Sequence, residues 1–276
     1  MPELPEVETV KRSLSGKLIG KEIRDLEIYF SGNIRRPDPL LMGEMIRGKK
    51  FLGIDRRGKY LIFTLSEDLA LVVHLRMTGQ LLYVDAAFPK DKHTHLVFSL
   101  SDGMELRYAD LRKFGTFDLI PLSELPQLKG LAQLGVEPLS GDFTVQWLDQ
   151  MLQNKNRSIK NVLLDQTIIA GIGNIYADEI LYEGGIHPET IACNLTEDQV
   201  RQLWQATVKL LNLGIEHRGT SIRNYVDGDG RQGGFQELLK VYGRRGEPCV
   251  RCGSPIGKTK VQGRGTYYCP NCQPKV

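Results

Sequence analysis

The sequence predicts an α+β protein built in three successive parts: a helix followed by a β-rich domain, a helical domain, and a short cysteine-containing segment. Residues 21–120 hold short runs of β-branched and aromatic residues separated by Gly, Asp and Pro. From Phe143 to about Gly214 the apolar residues recur at helical spacing instead. Clustered cysteines, from Cys249 to Cys272, mark the last part. Strands followed by helices, rather than alternating with them, are typical of an α+β architecture.

The composition is that of an ordinary globular protein. Hydrophobic residues make up 41% and charged residues 25% of the 276 residues, a length for which two domains are the default. We find no apolar run of membrane-spanning length, and the acidic, proline-containing first residues do not resemble a signal peptide. The cysteine count of five is odd, which together with the lack of a secretory signal predicts a reducing, cytoplasmic setting.

Charge is distributed unevenly along the chain. The net charge is only +3, yet residues 248–276 carry several basic residues and no acidic one, and residues 44–60 are also predominantly basic. Local basic surfaces on a nearly neutral protein are the footprint expected for binding of a polyanion.

The first residues, Met1-Pro2-Glu3, can form a nucleophile. Removal of Met1 would leave Pro2 with a free secondary amine, and an α-amino group titrates near ~7.7–8.0, so much of it is unprotonated at neutral pH. A secondary amine that attacks an aldehyde-level carbon forms an iminium ion, and Glu3 is adjacent and able to transfer protons. Pro5 and the spacing of the apolar residues after it predict a helix. The alternative is an ordinary helix start with an acidic first turn.

The β-rich region gives way to helices around residues 121–142, where repeated Pro and Gly predict a domain boundary. Upstream of this boundary, frequent short strands without intervening helices favour a sandwich or a barrel. Downstream, Thr196 and Gln199 form a capping box that predicts a helix start. The long Gly-rich segment 214–237 is predicted to be a functional loop or disordered.

The spacing Cys249-x2-Cys252-x16-Cys269-x2-Cys272 predicts a zinc site. Two CxxC pairs at this separation supply four thiolates within tetrahedral reach of one Zn²⁺ ion. Because protein fills all four positions, we expect the zinc to be structural and to supply much of the folding free energy of so short a segment. Two chance CxxC pairs or a redox couple are the alternatives.

Two glycine-containing turns present candidate binding residues. Residues 262–266 predict a hairpin turn with Arg264 at its tip, or merely a solvated arginine. Residues 171–174 (Gly-Ile-Gly-Asn) join two helical patterns, and the helix start that follows offers backbone amides to a phosphate. They match neither a dinucleotide-binding fingerprint nor a P-loop. The alternative is a plain helix–helix turn, and it is weakened by three cations just upstream: Lys155, Arg157 and Lys160.

The residues after the strand around Leu106 combine basic and aromatic side chains. A protein that extracts a base from duplex DNA leaves a gap in the stack, which requires an apolar wedge and donors for the unpaired partner base. Phe114 and Arg112 fit these roles, and Met77 is a suitable apolar filler. The alternative is a β-turn with a core phenylalanine and surface cations.

Histidines and one further lysine give weaker signals. A hydrolytic triad is unsupported, because the histidines do not pair with a carboxylate or serine at a recognisable spacing. His93 follows two lysines, which makes it a candidate for a phosphate contact, whereas His74 and His95 are expected to be buried or edge residues. Lys59 is either a surface lysine or a contact to a nucleic-acid backbone.

Taken in chain order, these residues closely resemble bacterial formamidopyrimidine-DNA glycosylases, within the formamidopyrimidine/endonuclease VIII family. The similarity runs nearly end to end and rests on these segments: 2–8 (Pro-Glu-Leu-Pro-Glu-Val-Glu), 57–59 (Arg-Gly-Lys), 74–77 (His-Leu-Arg-Met), 112–115 (Arg-Lys-Phe-Gly), 173–176 (Gly-Asn-Ile-Tyr), and the four-cysteine ribbon with Arg264. It implies an N-terminal helix and β-sandwich catalytic domain (1–132), a helix–two-turn–helix DNA-binding domain (133–237) and a C-terminal zinc ribbon (238–276). The loop 214–237 would close over a flipped base.

The resemblance also implies a bifunctional DNA glycosylase and abasic-site lyase that removes oxidised purines, chiefly 8-oxoguanine and formamidopyrimidines, from damaged double-stranded DNA. Pro2 would displace the base and form a Schiff base, with Glu3 as proton donor. Lys59 would assist β-elimination and Arg264 δ-elimination. DNA contacts would come from Arg112, Met77 and Phe114 in the vacated stack, from His93, Asn174 and Arg264 at phosphates, and from Lys155 and Lys160. A monomer in the bacterial cytoplasm, associated with the nucleoid, is implied.

The chain departs from the family pattern at two places, and two other functions remain open. Thr78 stands where some members have an acidic residue, and Asn154 and Asn156 interrupt a basic run. The alternative enzyme is an endonuclease VIII-like glycosylase for oxidised pyrimidines, although Leu4 and the Arg-Lys-Phe wedge at 112–114 favour purines. The alternative from another class is a non-catalytic zinc-ribbon protein that binds damaged DNA.

Overall fold

The computed structural model describes residues 1–222 and 224–275, which divide into two compact units. The first unit comprises Met1–Ala132 and His217–Gln236, and the second comprises Gln133–Glu216 and the residues from Glu237 onward. The segment 217–236 therefore groups with the N-terminal residues, whereas the sequence assigned it to the second of three domains. The three-domain division stays a prediction, and the parts of it that fall on residues 223 and 276 lie outside the described residues.

Helix α1 (Leu4–Leu18) opens the first unit. Glu3 is its N-cap, and the side chain of Glu6 accepts the Glu3 N–H at 2.7 Å, so the helix begins with a capping box. Pro5 lies in the first turn, as predicted. The apolar face that contains Leu14 is buried in the core of the unit, where it holds the helix against the sheets.

Two β-sheets form a sandwich beside this helix, so the sandwich prediction is confirmed and the barrel is excluded. The strands are β1 (Ile23–Ile28), β2 (Ile34–Arg36), β3 (Phe51–Arg57), β4 (Tyr60–Leu65), β5 (Leu69–His74), β6 (Gly79–Asp85), β7 (Thr94–Leu100), β8 (Met104–Asp110) and β9 (Thr116–Pro121). One sheet has the order β1-β7-β8-β6 and the other β2-β9-β5-β4-β3. Only β2 and β9, among the described pairs, run parallel. Aromatic rings of both sheets meet in the core, with Phe98 and Phe117 centroids 6.3 Å apart.

A helix interrupts the β-rich region, where none was predicted. Helix α2 (Pro39–Ile46) begins at Asp38, whose side chain accepts the N–H of Leu40 at 3.0 Å. The proline at its first position and the burial of Met42 stabilise the helix. The expectation of strands alone was wrong here, because eight residues are too few for helical spacing to stand out. A further short helix, α3 (Lys129–Ala132), ends the first part of this unit.

Two connections at the same end of the sandwich carry the residues expected to face DNA. Residues 75–78 join β5 to β6 and form the Met77 tip, and residues 111–115 join β8 to β9 and form the Phe114 tip. Because β5 pairs with β9 and β6 pairs with β8, the tips leave the sheets side by side. Each tip contains a non-glycine residue with positive φ: Arg76 at 55° and Lys113 at 59°.

The second unit is mainly helical and ends in a β-hairpin. Its elements are α4 (Val145–Leu152), α5 (Ile159–Leu164), α6 (Asn174–Glu183), α7 (Glu197–Glu216), β10 (Gly257–Val261) and β11 (Arg264–Tyr268). The capping box before α7 is confirmed, since the reciprocal hydrogen bonds of Thr196 and Gln199 measure 3.0 and 3.3 Å. None of the helices in the described part of the chain combines the length and apolar character that crossing a membrane requires.

Helix α7 runs to Glu216, beyond the predicted end at Gly214. The glycine serves close packing rather than termination, because a Cβ at Gly214 would lie 2.4 Å from the Tyr176 hydroxyl. The hairpin turn also differs slightly from its prediction. Gln262 and Gly263 form the turn with φ of 45° and 74°, and Arg264 is the first residue of β11.

Candidate active site

The N-terminal residues are held tightly at the start of α1. Pro2 is buried and Glu3 is only 3% exposed, while Met1 is exposed. The Glu6 carboxylate fixes the backbone of Glu3 through the capping box. The positive end of the helix dipole also lies at this turn. The structure thus places Pro2, whose nitrogen would become an amine once Met1 is removed, next to Glu3 at the start of α1.

Lys59 lies in the turn between β3 and β4, which is tied to the same helix. Arg56 donates through Nε to Glu8 on α1 at 3.0 Å and through Nη1 to the Gly58 carbonyl at 3.0 Å. Burial raises the pKa of Glu8, but hydrogen bonds from Arg12 and Arg56 outweigh it, so the net pKa is lowered. The carboxylate therefore stays ionised, and the Glu8–Arg56 pair connects α1 to the turn that carries the largely buried Lys59.

His74 lies close to these cations and is uncharged. Burial, followed by the charges of Arg76 and Lys59, lowers its pKa to about 3. Its Nδ1 accepts the Arg76 N–H at 2.9 Å, and its ring contacts the edge of Tyr60 with centroids 4.5 Å apart. This confirms the expectation of a buried histidine. It also shows that several positive charges converge at this end of the sandwich.

The segment 217–236 is anchored on α1. The Glu6 carboxylate accepts the Thr220 N–H at 2.7 Å, and the Tyr225 hydroxyl donates to the Glu6 carbonyl at 3.2 Å. The Ser13 hydroxyl accepts the Gly228 N–H at 2.9 Å. Glu6 therefore joins this segment to the turn that holds Glu3. This role of Glu6 was not predicted, although its position three residues after the N-cap is a sequence signal for a structural carboxylate.

The Met77 and Phe114 tips expose their apolar side chains. Met77 is 38% and Phe114 51% exposed, which excludes the alternative of a core phenylalanine. The Arg112 guanidinium lies over the Phe114 ring, 4.6 Å from its centroid. Exposed apolar groups next to a cation are suited to contact bases. Asp110 organises the tips and was not predicted, because a single aspartate at a strand end has no distinctive sequence pattern.

His93 lines a cavity of about 400 Å³ on the outer face of the β6–β8–β7 sheet. It is half-buried, its carbonyl accepts the Asp110 N–H at 3.0 Å, and its own N–H is donated to Asp91 at 2.7 Å. His95 is buried, and its Nε2 hydrogen-bonds with the Asp110 carbonyl at 2.8 Å. Of these two histidines, His93 is the one with exposed surface.

In the second unit, Lys160 is not where the sequence analysis expected it. Its side chain is fully buried, with Nζ 2.6 Å from Asp178 and 2.7 Å from the Thr266 hydroxyl. A side chain that is fully buried cannot contact a phosphate at the surface of the described structure. The expectation that Lys160 contacts a phosphate was therefore wrong. Lys160 instead binds the hairpin, also reaching the Gly265 carbonyl at 3.3 Å. The spacing of cations could not distinguish a buried lysine from an exposed one.

The other predicted residues of this unit keep some exposed surface. Arg264 is exposed and Asn174 is half-buried at the start of α6, where its Nδ2 donates to the Gly265 carbonyl at 3.0 Å. Lys155 is half-buried, and Arg157 pairs with Asp165 at 2.5 Å. Asp178 accepts the Tyr267 N–H at 2.9 Å, so α5 and α6 together fix the backbone beside Arg264.

The four clustered cysteines form a metal site. Their sulfur atoms, in Cys249, Cys252, Cys269 and Cys272, lie within 4.8 Å of one another. A zinc–sulfur distance of ~2.3 Å requires sulfurs about 3.8 Å apart in a tetrahedron, and the Cys249–Cys272 and Cys252–Cys269 pairs are at 3.8 and 3.5 Å. Backbone N–H groups and the Tyr182 hydroxyl surround the sulfurs. The residues fit a structural Zn²⁺ ion, with all four positions filled by protein.

Comparison with known proteins gives the same assignment for each part of the chain. The family models that match describe a "Formamidopyrimidine-DNA glycosylase N-terminal domain" (residues 1–117), a "Formamidopyrimidine-DNA glycosylase H2TH domain" (134–226) and a "Zinc finger found in FPG and IleRS" (246–275). The chain is 50% identical over 273 residues to the formamidopyrimidine-DNA glycosylase of Pelotomaculum thermopropionicum, covering 99% of both chains. The chain belongs to the formamidopyrimidine-DNA glycosylase family.

Other members of the family are similarly close. The Bacillus cereus formamidopyrimidine-DNA glycosylase is 46% identical over 277 residues, with complete coverage of both chains. The solved structure of a Lactococcus lactis FPG mutant with Fapy-dG-containing DNA is 40% identical, with a TM-score of 0.94 over 99% of this chain and all of that one. A complex of the Lactococcus lactis Fpg with abasic-site DNA gives the same identity, TM-score and coverage. The α+β fold with its zinc finger is thus that of the family.

Proposed function

We propose that this glycosylase excises oxidised purines, including 8-oxoguanine and formamidopyrimidines, from damaged duplex DNA and then cleaves the strand at the abasic site, with Pro2 as nucleophile. Formamidopyrimidine-DNA glycosylase is a bifunctional glycosylase and abasic-site lyase. The observation that carries the assignment to Pro2 is its place beside Glu3 in the capped first turn of α1. Once Met1 is removed, this turn would hold an amine next to a carboxylate.

The steps up to the first elimination are assigned to residues of the first unit, and assistance to the second elimination is assigned to Arg264 of the second unit. The Pro2 nitrogen, freed by removal of Met1, bonds to C1′ as the bond from C1′ to the base breaks. The base leaves with the bonding electron pair, the amine proton passes to Glu3, and Glu3 transfers it to the ring oxygen as the sugar ring opens, which leaves an iminium ion at C1′. The iminium acidifies the C2′ protons, so elimination releases the 3′ phosphate and then the 5′ phosphate. We assign assistance to the first elimination to Lys59, and this is supported by its burial in the turn that Arg56 ties to α1.

The proposed DNA contacts are supported by the solvent exposure of the side chains assigned to them. Met77, Phe114 and Arg112 fill the gap that the extruded nucleotide leaves, since their side chains project from adjacent tips. Asn174 and Arg264 bind phosphates, and His93 and Lys155 add contacts through their half-buried side chains. Lys160 serves the same end indirectly, by holding the hairpin that carries Arg264. We propose that the protein performs these roles as a monomer in the bacterial cytoplasm.

The Schiff base is tested by borohydride reduction with an 8-oxoguanine duplex. Native protein is expected to form a covalent protein–DNA adduct. The adduct should be lost in Pro2→Gly and in protein that retains Met1, because neither presents the secondary amine. As a control, Pro5→Ala changes the proline that lies in the helix and leaves the amine in place. An active native enzyme that yields no adduct would exclude Pro2 as the nucleophile.

Activity on oxidised pyrimidines is the second candidate. It is favoured by a similar solved structure, a complex between the wild-type Lactococcus lactis FPG and DNA containing an oxidised pyrimidine, which is 39% identical with a TM-score of 0.93. Single-turnover excision from thymine-glycol and 8-oxoguanine duplexes of the same sequence separates the two. We expect the purine lesion to be removed faster, and a reversed order would assign the chain to the pyrimidine branch.

A further inference from the structure

The Met77 and Phe114 tips begin and end at paired positions of the sheets. His74, the last residue of β5, pairs with Thr116, the first of β9. Gly79, the first residue of β6, pairs with Asp110, the last of β8. Regular strand pairing therefore stops just before each tip. What joins the two tips beyond that point must come from side chains.

Asp110 is the centre of the contacts at this place. Its carboxylate is 1% exposed and accepts hydrogen bonds at both oxygens. Oδ2 receives the Tyr108 hydroxyl at 2.7 Å and the N–H groups of Phe114 and Gly115 at 2.9 Å each. Oδ1 receives the Arg112 N–H at 3.1 Å. These donors belong to β8 and the Phe114 tip, so Asp110 shapes the tip that follows it.

Thr78 supplies a donor from the other tip. Its hydroxyl donates to Asp110 Oδ1 at 2.5 Å and accepts the Arg112 N–H at 3.1 Å. The first hydrogen bond joins the Met77 tip to Asp110 at the end of β8, and the second joins the Met77 tip directly to the Phe114 tip. A hydroxyl has a single proton to donate, and in Thr78 that proton is directed at Asp110.

Besides the hydrogen bonds, close packing fills the space between the two tips. A Cβ at Gly115 would lie 1.8 Å from the Tyr108 hydroxyl, and one at Gly79 would lie 2.9 Å from it. The hydroxyl thus fills the gap that the two glycines leave. Neither position could carry a side chain. The backbone at the start of β6 and the end of the Phe114 tip therefore packs against the same buried Tyr108 hydroxyl.

The tips need such contacts because their backbones are strained. Arg76 and Lys113 have φ of 55° and 59°, a backbone region that is strained for residues other than glycine. Strained, exposed turns persist only when their surroundings hold them. Hydrogen bonds to an ionised carboxylate are about twice as strong as neutral ones. Although burial raises the pKa of Asp110, the hydrogen bond from Thr78 and those from the Phe114 tip lower it overall, so the carboxylate is ionised.

We propose that Thr78 is a positioning residue that couples the Met77 tip to the Phe114 tip, so that the two apolar side chains enter the DNA stack as one wedge. The proposal rests on the proposed function, in which Met77 and Phe114 fill the gap left by the extruded nucleotide. Without the Thr78 hydroxyl, the Phe114 tip keeps its other bonds to Asp110, whereas the Met77 tip loses its bonds to that carboxylate and to Arg112. The two wedge residues would then act independently.

The test is a double-mutant cycle between Met77 and Phe114, measured in three backgrounds: native, Thr78→Val and Thr78→Ser. Thr78→Val has nearly the same shape without the hydroxyl, and Thr78→Ser keeps the hydroxyl as the matched control. Single-turnover excision of 8-oxoguanine is measured for Met77→Ala, Phe114→Ala and the double variant in each background. Coupling is the departure of the double variant from the product of the single effects.

We expect non-additive effects in the native and Thr78→Ser backgrounds and additive effects in Thr78→Val. Loss of a hydrogen bond to a charged group should also slow excision by Thr78→Val roughly tenfold or more. A fluorescent 2-aminopurine beside the lesion should report slower wedge insertion in the same variant. A urea titration of each background separates loss of stability from loss of coupling.

Two outcomes overturn the proposal alone: coupling that persists in Thr78→Val, or a Thr78→Val rate equal to native. Slower excision by Thr78→Val with unchanged coupling also overturns the proposal, because it shows that Thr78 has a merely structural role. Native rates for both Met77→Ala and Phe114→Ala would instead contradict the wedge in the proposed function. The borohydride adduct on Pro2 remains an independent measure of that function.

Discussion

Two buried aspartates, Asp110 in the first unit and Asp178 in the second, hold the backbones of exposed turns in different ways. Each is about 1% exposed. Burial raises the pKa of Asp110, but hydrogen bonds led by those of Thr78 and Gly115 outweigh it, and the net pKa is lowered. Burial also raises the pKa of Asp178, and there the attraction of Lys160 is insufficient, so it rises to about 7.

The difference shows that the number and direction of donors matter more than the presence of a counter-charge. Neutral hydroxyl and amide donors meet both oxygens of Asp110 and replace the water it loses. Asp178 has an ammonium group at 2.6 Å and one backbone donor, Tyr267. A single ammonium group that is itself desolvated recovers only part of the cost of burial. The hairpin beside Arg264 therefore depends on an ion pair that is sensitive to mutation and to pH.

Removal of zinc is expected to have the largest effect, and to act on the second unit. The site supplies about 10–16 kcal/mol in comparable small domains. Tryptophan fluorescence reports this unit, because Trp147 and Trp204 both lie in it. Chelation or Cys252→Ser should change that signal and abolish duplex binding before the β-sandwich unfolds. Cys193→Ser, which alters an exposed cysteine outside the cluster, is the control. Undiminished duplex affinity in Cys252→Ser would contradict the prediction.

Lys160→Ala should destabilise the second unit by about 3–5 kcal/mol, because it leaves Asp178 buried without its partner. Urea unfolding followed by tryptophan fluorescence measures the loss. The control is Lys209→Ala, since the Lys209–Glu183 pair is exposed and worth about 0–1 kcal/mol. Replacing both partners, as Lys160→Met with Asp178→Leu, should restore much of the stability. Equal effects of Lys160→Ala and Lys209→Ala would show that the buried pair has no special role.

The two aspartates should give stability opposite dependences on pH. The folded-state pKa of Asp178 is raised, so its contribution is full below the ordinary carboxyl pKa and is lost as pH rises toward about 7. The pKa of Asp110 is lowered, so its contribution is present above the ordinary carboxyl pKa and is lost as pH falls. Asp178→Asn should flatten the decline of stability between weakly acidic and neutral pH. Asp110→Asn should leave that decline intact, and a matching change in both variants would refute the distinction.

Two helical glycines should respond to alanine in opposite directions, with the smallest effects. Gly214→Ala in α7 should destabilise by about 1–3 kcal/mol, because the added methyl overpacks against Tyr176. Gly16→Ala in α1 should stabilise by roughly 0.5–1 kcal/mol, since a Cβ there has more than 4 Å to the atoms around it. Thermal unfolding of both variants checks the prediction. A stabilising Gly214→Ala would mean that α7 does not pack as closely as described.

Much of the fold could be predicted because its signals are local. The β-branched runs, the capping box at Thr196 and the spacing of the four cysteines each specify structure within a few residues. Helix α2 and the end of α7 were not predicted, because the local signals there are weak or misleading. Gly214 has the local signature of a helix end, but in the structure it packs closely against Tyr176. The prediction for Lys160 failed because its charge suggested exposure, whereas Asp178, which pairs with it, is 18 residues away in the sequence.

The sequence by itself predicted the chemistry proposed for this protein, from Pro2 beside Glu3, four thiolates for zinc, and the end-to-end resemblance to its family. These depend on residue type and short spacing, which the chain states directly. Only the tertiary structure decided which carboxylates fix the backbone at the candidate site. Glu6 binds the segment 217–236, Asp110 binds the Phe114 and Met77 tips, and Asp178 binds the hairpin. Burial and hydrogen bonding between distant residues set these roles, and neither is encoded in any short stretch of sequence.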